Sequence, residues 1–302
     1  MQASETTILR RIALATTVVT GFAGLVYEVT WHKYLSNIVG SEARATAIIL
    51  AVFLGGLSIG YELFGRLSIG KSPHLNLKLL AYAEMAIGIW ALFFDQIFSF
   101  LGSLTQNLPL TGAQGLGGEI LAASFLMLIP TILMGGTLPL LTQGLNLGLK
   151  DAPKFHSKIY ACNTAGAFLG CLSAGFYFIP SHGLPLTMFY MAILNLVSGF
   201  ALGLVATAAS RESIATELAT SENLPGHQIE DAMEANTSRL SGEYLSRSKA
   251  FMVATLAGFY SIALQTILVR VTGLSLGSSE YAFSMIVSLF IFMLAFGASG
   301  VS

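Results

Sequence analysis

The sequence contains few charged residues, and this scarcity excludes an ordinary soluble domain. Asp, Glu, Lys and Arg together make up 10% of its 302 residues, whereas 54% of the residues are apolar. Soluble domains carry roughly 25% charged residues, because most of their surface faces water. The composition therefore indicates an integral membrane protein, whose main partner is the lipid bilayer. We expect no nucleic-acid partner.

The sequence also lacks the residues of a disulfide, a metal site or a common catalytic motif. Its only two cysteines, Cys162 and Cys171, lie nine residues apart on one predicted helix. That spacing is roughly 13 Å, beyond the ~7 Å that a disulfide allows between Cα atoms. The five histidines are scattered and do not have the spacing of metal ligands. The GLGGE run at 115–119 resembles a nucleotide-binding glycine loop, but no strand precedes it as such a loop requires. We predict no metal, no cofactor and no catalytic residue, and no enzymatic activity can be assigned.

The sequence has long apolar runs in place of these features. Eight of them lie near residues 12–34, 43–64, 77–101, 120–141, 159–179, 185–206, 250–272 and 281–301. A helix of about 20 residues crosses the ~30 Å hydrocarbon core of a bilayer. Helices are favoured because lipid offers the backbone amides no hydrogen-bond partner. The predicted fold is all-α, a polytopic transmembrane bundle of about eight helices.

The basic residues are distributed unevenly around these runs, and this asymmetry predicts an orientation. Twelve of the fifteen fall on the side of the N-terminus, and only Lys33, Arg44 and Arg270 fall on the other. Basic residues are enriched in cytoplasmic loops. The sequence therefore predicts a multi-pass protein of the cytoplasmic (inner) membrane, with both ends of the chain in the cytoplasm.

Two segments of the chain resemble each other. A shift of 237 positions, without a gap, places residues 21–60 on residues 258–297. Several glycines coincide, and Glu28 falls on Gln265. A parallel internal repeat is a feature of transporter folds. We therefore interpret helices 1–2 and 7–8 as repeated units of a major-facilitator-like bundle.

An acidic segment divides the chain into unequal parts. Residues 210–248 carry seven acidic residues against three arginines, which is typical of a solvated cytoplasmic linker. An amphipathic helix within 229–240 is the alternative. On this interpretation, residues 1–209 form a six-helix membrane half. Residues 249–302 begin a second half, and we expect it to be cut short before a soluble domain.

Glu28 is the first candidate for a functional residue inside the apolar runs. Intramembrane carboxylates are costly and often mark functional sites. Glu28 is predicted to face a cavity between helices, with Gln265 as its counterpart in the repeat. Alternatively, it is an interfacial carboxylate paired with Lys33 or Arg44. The neighbouring Trp31 and Tyr34 are typical of an interfacial aromatic belt.

Other polar residues extend this candidate intramembrane site. Glu84 lies within the third run, where its position is ambiguous between a functional and a structural role. Asn163 and Thr164 lie early in the fifth run and can bond across to another helix. Glycines four apart predict close helix packing in three runs: Gly56 and Gly60, Gly166 and Gly170, Gly199 and Gly203.

The fourth run contains helix-breaking residues. Pro130 and Pro139 each remove a backbone donor and free the carbonyl four residues earlier, at Leu126 and Gly135. With Gly135 and Gly136 between the prolines, we expect this helix to be kinked or broken. Two interpretations remain open: a broken helix that builds a midplane binding site, or a kink that only assists packing.

Four segments of the sequence resemble the membrane portion of bacterial fused major-facilitator/spermidine-synthase-like proteins. They are GFAGLVYEVTWHKYLSNIVGS, ILAVFLGGLSIG, IPTILMGGTLPLL and YACNTAGAFLGCLSAGFYFIPSHGL. In that family, membrane helices precede a cytoplasmic aminopropyltransferase-like domain with a Rossmann-type methyltransferase fold. The resemblance runs from about Thr16 to Ser302, apart from the linker. It implies that the family's glutamates are Glu28 and Glu84 and that its fifth-helix asparagine is Asn163.

The resemblance also implies a role for the chain. His32 and Lys33 depart from the family's usual Thr–Arg pair, and nothing matches the catalytic domain. The chain is then a membrane module that anchors an aminopropyltransferase-like domain, fused or separate, and passes it a substrate or product. The alternative is a stand-alone transporter-like protein for a small cationic solute.

Overall fold

The computed structural model describes residues 2–39, 42–106, 113–145, 152–221, 247–276 and 280–299. These ranges are helical apart from short turns and contain no strand. The helices are α1 (Gln2–Val39), α2 (Glu42–Ser68), α3 (Pro73–Gln106), α4 (Ala113–Gly135), α5 (Thr137–Gly144), α6 (Ala152–Ser173), α7 (Ile179–Ser221), α8 (Arg247–Leu276) and α9 (Glu280–Ser299). The predicted all-α class is confirmed.

The helices have the length and composition of membrane spans. Within the described ranges, six helical stretches are long and apolar enough to cross a bilayer, and the shorter stretch Tyr281–Phe296 is also apolar. One of the six, His156–Ala208, is 53 residues long and joins two runs that the sequence separates. These stretches indicate a multi-pass membrane protein. The count of eight spans and the major-facilitator repeat stay predictions.

The long stretch is interrupted near its middle. A five-residue π-helical segment, Ala174–Phe178, follows α6, and α7 contains a kink at Gly183, where φ is 73° and ψ is 176°. Glycine adopts this conformation readily because it has no Cβ. Pro185 follows two residues later, and a proline disfavours helical geometry in the residue before it. The kink therefore lies where the sequence separates its fifth and sixth runs.

Glycines hold three pairs of helices in backbone contact. Gly166 of α6 lies against the Val18 carbonyl of α1, Gly60 of α2 against Ile132 of α4, and Gly199 of α7 against Ala81 of α3. A Cβ at any of these glycines would crowd or overlap the partner's carbonyl oxygen. Small residues allow such close approach, and it is a main source of helix association in lipid.

The aromatic residues near the end of α1 are part of the core. Trp31 is 1% exposed and stacks on Tyr27 and Phe94, with ring centroids 5.4 and 5.7 Å apart. Tyr34 is also buried, and its hydroxyl donates to Asp95 Oδ1 at 2.7 Å. The predicted interfacial belt at Trp31 and Tyr34 is wrong, because side chains of α2 and α3 cover both rings and remove them from the surface.

The last two helices pack at the edge of the bundle. Helix α9 lies against α6, whereas α8 contacts α2 and α9 and leaves most of its surface exposed. Helix α7 continues to Ser221, so the first part of the predicted 210–248 linker is helical. The alternative amphipathic helix at 229–240 lies outside the described residues.

Candidate functional site

A cavity of about 80 Å³ lies between helices α1 to α7. Its walls combine apolar side chains with a small set of polar groups. The lining residues are Thr20, Gly21, Gly24, Leu25, Phe53, Leu57, Glu84, Met134, Thr137, Asn163 and Asn195. Such a mixture, mostly apolar with a few convergent polar groups, is typical of small-molecule sites.

Glu84 is the one acidic residue in this lining, and it is 1% exposed. The side-chain amide of Asn195, on α7, donates to Glu84 Oε2 at 2.6 Å. The hydroxyl of Thr137, at the start of α5, donates to Oε1 at 3.4 Å. Tyr27, on α1, donates to the Asn195 oxygen at 3.1 Å. This network orients the carboxylate, and each of its oxygens keeps a lone pair for a further partner.

A break in a helix places Thr137 beside Glu84. Helix α4 ends at Gly135 and α5 begins at Thr137, with Gly136 between them. A Cβ at Gly135 would overlap the Leu57 carbonyl of α2, and one at Gly136 would lie 2.6 Å from the Phe64 ring. The two glycines therefore let α2 approach the break. Pro139 is the third residue of α5, where the first helical turn tolerates its missing donor.

The carbonyl that Pro130 frees has a partner on another helix. The indole N–H of Trp90, on α3, donates to the Leu126 carbonyl oxygen at 3.2 Å. A backbone carbonyl inside a membrane needs such a partner, because lipid supplies no donor. The Pro130 region therefore contributes a contact between α3 and α4, and the break at Gly136 is followed by Thr137 in the cavity lining.

The structure places the five predicted site residues in different surroundings. Glu84 and Asn163 line the same cavity. Thr164 donates to the Tyr160 carbonyl of its own helix at 2.8 Å and is not part of the lining. Glu28 and Gln265 are buried, at 4% and 9% exposure, but neither lines the cavity.

Sequence reasoning missed Asn195, Thr137 and Tyr27. The signal for Asn195 was present, because an amide inside the apolar sixth run needs a partner on another helix. Thr137 comes directly after the glycine pair of the broken helix. The sequence does not show that the break lies beside the cavity, so it does not predict a role for Thr137. Nothing in the sequence distinguishes Tyr27 from the other aromatic residues of the runs.

Glu28 lies in a second polar region, between α1, α6 and α9. Its carboxylate lies near the thiol of Cys171, on α6. That thiol donates to the Ser284 carbonyl of α9 at 3.3 Å. Glu28 is enclosed by neighbouring helices rather than exposed at the membrane surface. Its pairing with Lys33 or Arg44 stays a prediction.

His32, one turn after Glu28, joins this region to α2 and α9. Its ring stacks on Phe283, with centroids 3.8 Å apart and planes 6° apart. Its Nε2 lies 3.0 Å from the Thr46 hydroxyl. His32 is thereby enclosed, and the ring contact adds to the packing of α9 against α6.

The central cavity is suited to bind a small cation or polar group. Its carboxylate supplies charge, and amide and hydroxyl groups supply orientation. Within the part of the chain that the structure describes, no group of three or more His, Cys, Asp or Glu side chains is placed to hold a metal ion. No protein-family model, curated protein or solved structure matches the chain.

Proposed function

We propose that the chain is a multi-pass protein of the cytoplasmic membrane that binds a small cationic solute in the Glu84 cavity and carries it across. The observation that supports this proposal most strongly is the oriented, buried carboxylate of Glu84, which faces a cavity. A carboxylate held only for helix packing would need no cavity beside it.

The cavity's volume limits the solute. Sites for drug-sized ligands are ~300–1,000 Å³, whereas this cavity is about 80 Å³. It accepts one small group, such as a primary ammonium, or a few waters. An ammonium group donates three hydrogen bonds, and the oxygens of Glu84, Thr137 and Asn163 are available from three helices.

The broken helix supports a transport role. Discontinuous helices near the middle of the membrane are a common way in which transporters build their binding sites. Here the break at Gly136 delivers Thr137 to the cavity. The proposed major-facilitator-like repeat is compatible with this role.

Uptake into liposomes that contain the full chain tests the proposal. We expect radiolabelled methylammonium or spermidine to enter faster than into empty liposomes. Glu84→Gln should reduce uptake to the empty-liposome rate, because the charge is lost while the shape is kept. Glu62→Gln is the matched control, since Glu62 is exposed and pairs with Arg66. Background uptake of both amines, or equal uptake by the two variants, would contradict the proposal.

A second role rests on the family resemblance. The YEVTW, MGGTLP and NTAGAFLG segments favour a membrane module that anchors a cytoplasmic aminopropyltransferase-like domain and passes it a polyamine-like substrate or product. Sequencing the gene beyond Ser302 tests this role. An open frame with a glycine-rich βαβ pattern supports it, whereas a stop codon followed by unrelated sequence argues against it.

The proposed orientation has its own test. In a chain without Cys162 and Cys171, single cysteines replace Thr6, Leu110 and Glu230. A membrane-impermeant maleimide added to intact cells should label Leu110→Cys and leave the other two unlabelled. Labelling of Thr6→Cys or Glu230→Cys would place that segment outside and overturn the orientation.

A further inference from the structure

A groove with a volume of about 280 Å³ runs between α3 and α7. The two helices are antiparallel along it, because Gly88 of α3 lies beside Ala192 of α7 and Gly199 lies beside Ala81. The groove contacts α3 from Lys78 to Met85 and α7 from Gly199 to Thr207. It is therefore roughly 10–12 Å long, at 1.5 Å per residue. That length is most of one leaflet of the hydrocarbon core, which is about 15 Å thick.

The floor and walls of the groove are apolar. Small residues on both helices form the floor, since a Cβ at Gly203 would still lie 4.0 Å from the Ala81 Cβ. Phe200 and Leu204 are 65% and 56% exposed and rise beside it. These side chains face the lipid in a membrane-spanning bundle, so the natural occupant of the groove is an acyl chain.

One end of the groove is polar and positively charged. Lys78 lies there, Tyr82 follows one turn later on α3, and Thr207 reaches the same end from α7. Lys78 forms no ion pair with an acidic side chain in the ranges that the structure describes. A lysine near the end of a membrane helix extends its ammonium toward the headgroup layer, while its methylene groups lie along the apolar surface.

We propose that this groove is a binding site for an anionic phospholipid, with one acyl chain between α3 and α7 and the phosphate at Lys78. A zwitterionic lipid of the same chain length would fill the apolar part of the groove equally well. The preference for an anionic lipid therefore comes from the charge of Lys78. Basic pockets between membrane helices on the cytoplasmic side bind anionic headgroups. The predicted orientation places Lys78 on that side. The site is separate from the Glu84 cavity and does not depend on its function.

Native mass spectrometry of the full chain with bound lipid tests the site. The probes are phosphatidylglycerol and phosphatidylcholine with identical acyl chains. We expect the wild-type chain to retain one phosphatidylglycerol in preference to phosphatidylcholine. Lys78→Gln should lower that preference about five-fold, the change that corresponds to one lysine near an anionic headgroup. Soluble glycerol phosphate should not compete, because it lacks the acyl chain.

A second variant tests the apolar part of the groove. Gly203→Leu places a side chain on the open floor, where a Cβ has room, and should reduce retention of both lipids. Lys71→Gln is the matched control, because Lys71 is an exposed lysine just before α3. Equal retention of the two lipids by the wild-type chain, or an unchanged preference in Lys78→Gln, would overturn the proposal. So would competition by glycerol phosphate.

Discussion

The side-chain amide of Asn195 lies 2.6 Å from Glu84 Oε2, although the two residues are 111 positions apart in the chain. Asn195 also accepts a hydrogen bond from Tyr27, and Glu84 accepts one from Thr137. Four helices, α1, α3, α5 and α7, are therefore joined through Asn195 and Glu84. The contact both orients the carboxylate and holds the walls of the cavity together.

Asn195→Ala is expected to destabilise the protein by about 1–3 kcal/mol. The variant leaves a buried carboxylate oxygen and the Tyr27 hydroxyl without their hydrogen-bond partner. Burying a polar group without a hydrogen bond costs free energy, because its bonds to water are lost and not replaced. Thermal unfolding in detergent, followed by circular dichroism, measures the change. Tyr27→Phe is the control, because it removes only the outer donor and should cost less. Unfolding of Asn195→Ala at the wild-type temperature would contradict the network's role.

Gly60→Ala should destabilise the protein, whereas Gly55→Ala should not. A Cβ at Gly60 overlaps the Ile132 carbonyl of α4, but one at Gly55 has nothing within 4 Å. Both substitutions raise helix propensity by the same amount, about 1 kcal/mol. The difference between their unfolding temperatures therefore isolates the α2–α4 contact. Equal temperatures would show that the two helices do not approach as closely as the structure describes.

Trp90→Phe should lower the free energy of unfolding by about 1 kcal/mol more in the wild-type chain than in the Pro130→Ala background. In the wild type, the Leu126 carbonyl depends on the Trp90 indole for its hydrogen bond, because Pro130 has no N–H. An alanine at position 130 restores the helical donor and makes the indole redundant. A double-mutant cycle on unfolding free energies cancels the packing loss that both backgrounds share. A coupling energy near zero would exclude this hydrogen bond.

Phe283→Ala should expose Cys171 to thiol reagents. Phe283 stacks on His32, and the fully buried Cys171 donates to the backbone of the next residue, Ser284. Removal of the ring leaves a cavity under α9 and favours its local opening. In a Cys162→Ser background, N-ethylmaleimide should label the variant several-fold faster than its parent. Leu294→Ala, on the exposed face of the same helix, should label at the parent rate.

The helices were predictable from the sequence, and their junctions were less so. Runs of about 20 apolar residues predict spans because lipid leaves the backbone no alternative to helix. The π-helical segment at Ala174–Phe178 and the extension of α7 to Ser221 were not predictable. Hydropathy records how apolar a segment is, whereas these features depend on how neighbouring helices contact it.

The candidate site was predictable in its parts but not in its assembly. Glu84 and Asn163 stand out as polar residues inside apolar runs, and the glycine pair in the fourth run indicates a break. Which polar residues face each other depends on the rotation of each helix about its axis, and the sequence does not encode that directly. The Thr164 hydroxyl bonds to a carbonyl of its own helix, whereas Asn163, one residue earlier, lines the cavity. A rotation of about 100° between successive residues therefore decides which side chain reaches the site.

The glycine contacts also limit how the bundle can move. Helices α1 and α6, α2 and α4, and α3 and α7 each touch backbone to backbone, so neither member of a pair can slide without opening its own interface. The central cavity takes lining residues from all three pairs. A conformational change that admits or releases a solute is therefore expected to move one pair relative to another, each pair as a rigid body. The sliding would take place at the side-chain contacts between pairs.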